Sequence, residues 1–533
     1  MTLTRRRFLR RAAPLGILPF LPACDRSTTL LGSATSAVGG STPFLHGLAS
    51  GDPLSDAVLL WTRVTPPPDA PARIDVEWRL ALDPAFAELV AQGTTSADPS
   101  RDFTVKVDVS GLSPGRTYYY DFAAFGVRSS VARTRTLGTG TIERARIAVT
   151  CCANYPAGYF NAYRLVAERA DLDLVLHLGD YLYEYGNGTF GDGTPIGRLP
   201  VPDREIVSLE DYRQRHAQYK LDPDLQEAHR QHPFIAIWDD HEVANNAYRD
   251  GAANHQPDSE GDWNLRKAAA MQAYFEWMPI REVVPGDTER VYRQFAWGDL
   301  LDLILLDARY QRDAGLASSC DPALGDLDRS ILGATEERWL FDALRASEAR
   351  GARWRVIGQQ VMLAQLSSAA RGCTEFPDQW DGYPFSRQRL LTEIADGISN
   401  VVVLTGDAHS SWAFDLAQDP FDAASYNAET GQGSLAVEFV APGVTSAGPG
   451  GDAQSLLDTH PHLKFTNLDR RGYVLLDVTR ERARAEWYFV RSVTEQSATE
   501  ELGAVFETAY GENHLRAASE ASVPLALPPA PAP

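Results

Sequence analysis

The sequence predicts an α/β protein with a small β-sandwich at its front. Two patterns carry that reading. Residues 44–140 run as short alternating strands divided by turn residues, and after Arg144 short apolar runs alternate with helical spacings. A third pattern concerns position rather than fold: several of the later apolar runs end in a thiol, a carboxylate or an imidazole.

The elements follow in order. In the front segment, "AVLLWTRV", "RIDVEWRLAL", "FTVKVDVSGL" and "RTYYYDFAAF" each suit a strand, which suggests a sandwich of immunoglobulin or fibronectin type. "LGTGT" (137–141) reads as a hinge. Beyond it, "RIAVT", "DLVLHLG", "PFIAIW", "DLILLDA", "RWRVIGQQV" and "NVVVLTG" are strand-length apolar runs. "FNAYRLVAERA", "TEERWLFDALRASEAR" and "SRQRLLTEIADG" have helical spacing, so βα units around a buried sheet are expected over 141–518. "GYVLLDVTRERARAEWYFV" alternates like two antiparallel strands, and the Ala/Pro-rich tail 519–533 is expected to be disordered.

The 533 residues are 44% hydrophobic and 23% charged, an ordinary globular balance. The formal charge of −21 argues against nucleic acid or an anionic membrane surface as the main partner. A phosphate substrate would need local positive charge from Lys, Arg or metal ions.

Residues 1–24 read as a secretory signal with a basic start and an apolar stretch too short to span a membrane. Thr4-Arg5-Arg6-Arg7-Phe8-Leu9-Arg10 resembles a twin-arginine export signal, which implies the twin-arginine translocation machinery as a partner and a periplasmic or extracellular destination. Leu21-Pro22-Ala23-Cys24 resembles a lipoprotein box, making Cys24 a lipidation candidate; a plain signal cleaved elsewhere is the alternative. Residues 25–43 are a Ser/Thr/Gly-rich linker. Of five cysteines, Cys151 and Cys152 are adjacent, whereas Cys320 and Cys373 sit in polar loops and form the candidate disulfide.

The polar strand ends carry the chemistry. They are Cys151-Cys152-Ala153-Asn154, Asp180, Asp239-Asp240-His241-Glu242 and Asp407-Ala408-His409. Sites in open α/β sheets form at the carboxyl ends of strands. Acids gathered there repel one another unless cations neutralise them, which is the case for a metal centre. Each piece alone has a plainer reading: helix cap, turn, loop or small buried thiol.

Taken together, "HGLASGDPLSDAVLLWTRV", "CANYPAGYFNAYR", "LHLGDYLYEYG", "WDDHEVANN" and "LTGDAHSSW" resemble the alkaline phosphatase D (PhoD-like) family of calcineurin-like metallophosphoesterases. The resemblance implies a four-layer α/β/β/α catalytic domain behind the β-sandwich, and hydrolysis of phosphate mono- and diesters in a phosphate-scavenging role with Fe(3+) and Ca(2+). It implies Asp180 as the bridging ligand and Tyr183 as a phenolate on iron. Cys152, in place of the usual Asp-x-His, is the implied thiolate ligand, with Cys151 left open as the alternative. It also implies Asp240 and Asp407 on the calcium side and His409 on iron. His241 lies where the family pattern has a histidine near the leaving group, and Asn246 where a carbonyl ligand or substrate contact is expected. The remaining residues are read without the family. Arg309, two residues past Asp307, is taken as the phosphate-gripping guanidinium; Arg312 is taken as a surface salt bridge. Tyr181 and Tyr185 are taken as packing residues.

The expected reaction is in-line attack on phosphorus by a metal-bound hydroxide, without a phospho-enzyme. Phosphate-ester small molecules are the expected substrates. Phospholipids would be substrates under the alternative of a phosphodiesterase or phospholipase D-type hydrolase. A non-catalytic, metal-stabilised surface protein is the rival from another class.

Overall fold

The computed structural model describes residues 42–367 and 373–533. The export signal, Cys24 and nearly all of the linker lie outside the described residues. Thr42 apart, the described residues belong to one compact unit, Pro43–Pro533.

The front segment supplies β1 (Leu48–Gly51), β2 (Ala57–Arg63), β3 (Ile74–Ala81), β4 (Leu89–Ala97), β5 (Thr104–Ser110), β6 (Thr117–Ala124), β7 (Val127–Arg128) and β8 (Ala132–Arg135). Strands β3, β4 and β6–β8 form one five-stranded sheet. Its apolar face, with Val76, Leu80, Tyr120 and Phe122, packs on Val58 and Leu60 of β2 and Val105 and Val109 of β5. Two faces therefore enclose one core. The segment is not self-contained, however. Strands β1, β2 and β5 belong to a ten-stranded sheet, because β1 pairs in parallel with β11 (Pro233–Ile237), Ser50 opposite Pro233. An edge that would otherwise expose unpaired backbone is covered this way. The expected hinge is also fixed: Gly298 N–H donates to the Gly138 carbonyl at 2.9 Å and Asp299 N–H to that of Gly140 at 2.8 Å.

The ten-stranded sheet centres on β9 (Arg144–Thr150), β10 (Leu174–Leu178) and β11, which run parallel. Strands buried on both faces need continuous apolar runs, and every residue of β10 and β11 is buried. A second, seven-stranded sheet holds β12 (Arg293–Trp297), β13 (Leu301–Leu305), β14 (Trp354–Gln359), β15 (Val401–Thr405), β16 (Ser411–Ala417), β17 (Ser434–Val440) and β18 (Leu463–Asn467). Leu303 and Leu305 of β13 join the core that contains β9–β11. Ile304 beside them joins a second core with Leu340 and Leu344 of the helix Gly333–Arg350 and Leu390 and Ile394 of the helix Pro384–Ala395. This alternation puts the two sheets face to face and those helices on the outer face.

The strands β19 (Gly472–Thr479), β20 (Arg482–Val490), β21 (Glu500–Ala509) and β22 (Arg516–Ala517) extend the ten-stranded sheet past β9 as an antiparallel run. The tail corrects the expectation of disorder. The Val523 carbonyl accepts from Arg144, the Pro529 carbonyl from Arg133 and the Ala530 carbonyl from Tyr119; Ala532 exchanges two hydrogen bonds with Gln231. A proline-rich extended chain leaves its carbonyls unpaired, and arginine and glutamine side chains at the amino ends of β9 and β11 take them up. Cys320 and Cys373 are joined by a disulfide between their loops.

Candidate metal centre

The carboxyl ends of β9, β10, β11 and β15 converge. Directly after β10, Gly179 sits at φ +95°, and a Cβ there would lie 2.4 Å from the Asp239 Cβ. Only glycine lets the ends of β10 and β11 come this close. Cys152, Asp180, Asn246, Asp407 and His409 all have φ between +52° and +57°. Left-handed backbone is costly for residues with a side chain, about 1–3 kcal/mol each, and it clusters where a site demands it.

Three groups result. The ligand atoms of Cys152, Asp180 and His409 lie within 4.8 Å of one another, as do those of Asp180, Asp240 and His241, and those of Asp239, Asp240 and Asp407. The groups share Asp180 and Asp240, so they form one chain of buried donors. The backbone separates the two cysteines. Cys152 joins Asp180 and His409, while Cys151 turns its Sγ toward the carbonyls of Ala441 and Pro442 at 3.8 and 3.6 Å. Tyr183 also reaches the first group: its hydroxyl donates to Asp180 Oδ2 at 2.7 Å, accepts from Ser446 Oγ at 2.7 Å and lies 3.1 Å from His409 Nε2. The segment after Asp180 is an irregular bend, not a helical turn, and the left-handed Asp180 brings the two side chains together. Tyr181 points away and bonds His229 at 2.9 Å.

Residues from other loops hold these donors. Glu242 accepts from the backbone N–H groups of Asp180, Tyr181 and Asp239 at 3.0, 2.5 and 2.6 Å, tying the ends of β10 and β11 together. Glu184 accepts from His241 Nδ1 at 2.6 Å and from Asn245 N–H and Asn254 Nδ2. Gln379 donates to Asp407 at 2.6 Å. Phe190 stacks on the His241 and His409 rings at 6.1 and 5.7 Å. Glu184 and Glu242 lie inside motifs that singled out their neighbours, but only tertiary structure shows that they act through backbone and imidazole groups. Gln379, Ser446 and Phe190 have no local sequence signal.

Two arginines differ from expectation. Arg309 is fully buried and spends its guanidinium on Asp239, on Asp378 at 3.0 Å and on Asp407 at 2.7 Å. It neutralises the acid cluster instead of offering a free fork to phosphate, because uncompensated buried carboxylates cost more than a surface phosphate contact gains. Arg312, expected at the surface, is buried on the Ala247 carbonyl and Asp378.

The electrostatics match a site short of positive charge. Burial pushes Asp239 well above the usual carboxylate range; Arg309 opposes this, while Asp240, Asp180 and Asp407 reinforce it. Burial works against the charge on Asp180, yet His241 and His409 hold its pKa below the usual range. Burial also raises the Cys152 thiol and the Tyr183 phenol. His241 goes up despite burial, because Glu184, Asp180 and Asp240 favour its cation.

The donor set fits metal ions. Asp180 Oδ1, Asp239 Oδ2, Asp240 Oδ1 and Asn246 Oδ1 are buried without a hydrogen-bond partner. Buried oxygens are rarely left so, and four beside one another make a cradle for cations. Carboxylate and amide oxygens suit a hard ion; thiolate, phenolate and imidazole on the Cys152 side suit a transition metal.

Comparison with known proteins agrees with this geometry. Residues 147–487 match the family described as PhoD-like phosphatase, and residues 31–138 match the PhoD-like phosphatase N-terminal domain. Alkaline phosphatase D of Bacillus subtilis (strain 168) is 36% identical over 544 residues, covering 98% of this chain and 90% of that protein. A solved structure titled "Structure of PhoD" superposes with a TM-score of 0.82 at 37% identity, over 91% of this chain and 94% of the other. The chain belongs to the PhoD-like phosphatase family and is a phosphoric ester hydrolase.

Proposed function

We propose that the chain is an alkaline phosphatase acting on phosphate mono- and diesters through a mixed iron and calcium centre. Cys152, Asp180, Tyr183 and His409 would hold ferric iron. Asp180, Asp240 and Asp407, with the Asn246 carbonyl, would hold calcium. The single observation that carries the reading is the overlap of the donor groups at Asp180 and Asp240, with buried oxygens among them that accept no hydrogen bond. When bound, such ions lower the pKa of water and neutralise phosphate oxygens, which offsets the repulsion of a substrate anion by a chain of charge −21.

The chain's own residues supply the rest. His241 Nδ1 is fixed by Glu184, so its other nitrogen is the one left to give a proton to the leaving oxygen. Arg309 holds Asp239 and Asp407 in place through its ion pairs with them. Phe190 covers both imidazoles and keeps bulk water from them. The paired sheets with helices against the second one support the four-layer architecture, and the shared core of the front strands supports an immunoglobulin-like sandwich. The twin-arginine motif and the Cys320–Cys373 bond support export to an oxidising compartment.

The test compares rates on an aryl phosphate, its diester and phosphatidylcholine, before and after chelation and after return of iron and calcium. Turnover of the first two that vanishes with chelator and returns with the ions is expected. Turnover unaffected by complete metal removal would overturn the reading. Preference for phosphatidylcholine would move the activity to the phospholipase D type.

A further inference from the structure

A cleft with a volume of about 400 Å³ opens beside the metal centre. Strand β19 runs antiparallel to β9, Val474 opposite Val149, so the start of β19 lies at the same edge of the sheet as Cys152. Arg470 and Arg471 immediately precede β19; Arg491 immediately follows its partner β20, and the Val490 N–H bonds the Arg471 carbonyl. All three arginines line the cleft, together with Thr445. Thr445 ties the cleft to the centre: its N–H donates to the Cys152 carbonyl and its Oγ1 to the Asn154 carbonyl at 2.7 Å. On the opposite wall, Gly191 follows Phe190, the ring that covers His241 and His409.

Two acidic groups, Asp192 and Asp469, line the cleft as well. Asp192 is exposed, and hydrogen bonds from Thr194 and Asn187 in its own loop hold it as the anion. Arg470 is paired with Glu501. Arg471 donates to the backbone carbonyl of Asp469, so Asp469 and Asp192 are the carboxylates that oppose Arg471 and Arg491 in the cleft. Arg491 is exposed and has no side-chain partner among the described residues. In a chain of charge −21, Arg471 and Arg491 in one cleft next to a phosphatase centre need a reason.

We propose that this cleft is a second anion subsite, which receives a phosphate or carboxylate carried on the organic part of the ester. The inference rests on the metal-dependent phosphatase reading and refines it to substrates that bear two separated negative groups. Guanidinium forks bind such oxyanions bidentately, and the cleft is large enough for a small polyol or sugar fragment carrying one.

The test measures kcat and KM for three esters: a simple aryl phosphate, an alkyl bisphosphate, and a phosphate ester with a carboxylate in place of the second phosphate. Wild-type enzyme should favour at least one doubly charged ester over the aryl phosphate by about tenfold or more in kcat/KM, chiefly through KM. In Arg471→Gln and Arg491→Gln that ratio should collapse toward one, each variant being compared with its own aryl phosphate rate. Preference for the bisphosphate alone assigns the subsite to phosphate; preference for both assigns it to anions generally. A wild-type enzyme indifferent to the second charge, or a preference that survives both substitutions, would overturn the subsite. Loss of metal-dependent aryl phosphate turnover in the wild-type enzyme would instead sink the underlying reading, so the two failures are distinct.

Discussion

Replacing Glu184 by glutamine separates the role of His241 from the integrity of its surroundings. Glu184 is fully buried, and its 2.6 Å bond with His241 Nδ1 joins a carboxylate to an imidazole that its neighbours favour as the cation. A hydrogen bond to a charged group contributes about 1.5–3 kcal/mol. If turnover needs His241 protonated, losing that stabilisation of the imidazolium lowers kcat by roughly 10–150-fold. The glutamine oxygen can still accept from Asn245 N–H and Asn254 Nδ2, so the loop should hold. The pH profile gives the sign. Burial disfavours the His241 cation, and Glu184, Asp180 and Asp240 outweigh it to raise the pKa. Removing the Glu184 charge lowers that pKa, so a protonated acid is lost earlier and the basic limb of kcat moves to lower pH. The assay is kcat against pH on an aryl phosphate, with metal content measured alongside. An unchanged kcat with an unmoved basic limb, in protein of full metal content, would refute the assignment of His241 as the proton donor.

Further outcomes follow from the same contacts. With Cys152 as the proposed iron ligand, Cys152→Ala should lose bound iron and its visible absorption, while Cys151→Ala, whose Sγ faces two carbonyls, should retain both; iron spectra of the pair decide it. Gln360→Met strips partners from the Trp238 and Leu306 carbonyls and the Ala308 N–H, which join the two sheets, and should cost about 3–5 kcal/mol in denaturant unfolding. Deleting residues 522–533 should cost about 2–4 kcal/mol by the same assay and leave kcat unchanged, since the tail grips the amino ends of β9 and β11, opposite the site.

Much of the site is legible in the sequence because strand ends are. An apolar run that stops at Asp180, Asp240 or Asp407 announces both a strand and a polar group at its carboxyl end. What decides among neighbouring residues is backbone torsion, which no composition rule records: a left-handed Cys152 enters the cluster while Cys151 turns away. Arg309 is misjudged because its partners come from residues 239, 378 and 407, remote along the chain. The merging of the front sandwich with the main sheet has the same cause, since the parallel pairing of β1 with β11 joins residues about 180 positions apart and leaves no local trace. The tail misleads by composition: Ala and Pro lack a core-forming pattern, but their carbonyls suffice for side chains waiting at the sheet's amino edge.

Asp180 is shared by two of the donor groups, and the proposed hydrolysis depends on the ions they would hold. The most direct measurement is the iron and calcium content of purified wild-type and Asp180→Asn protein beside their aryl phosphate turnover. The variant should lose bound ions and turnover together, by at least about a thousandfold in rate, while circular dichroism still reports a folded chain. An Asp180→Asn protein that keeps full activity, or a wild-type protein that is fully active with no bound metal, would contradict it.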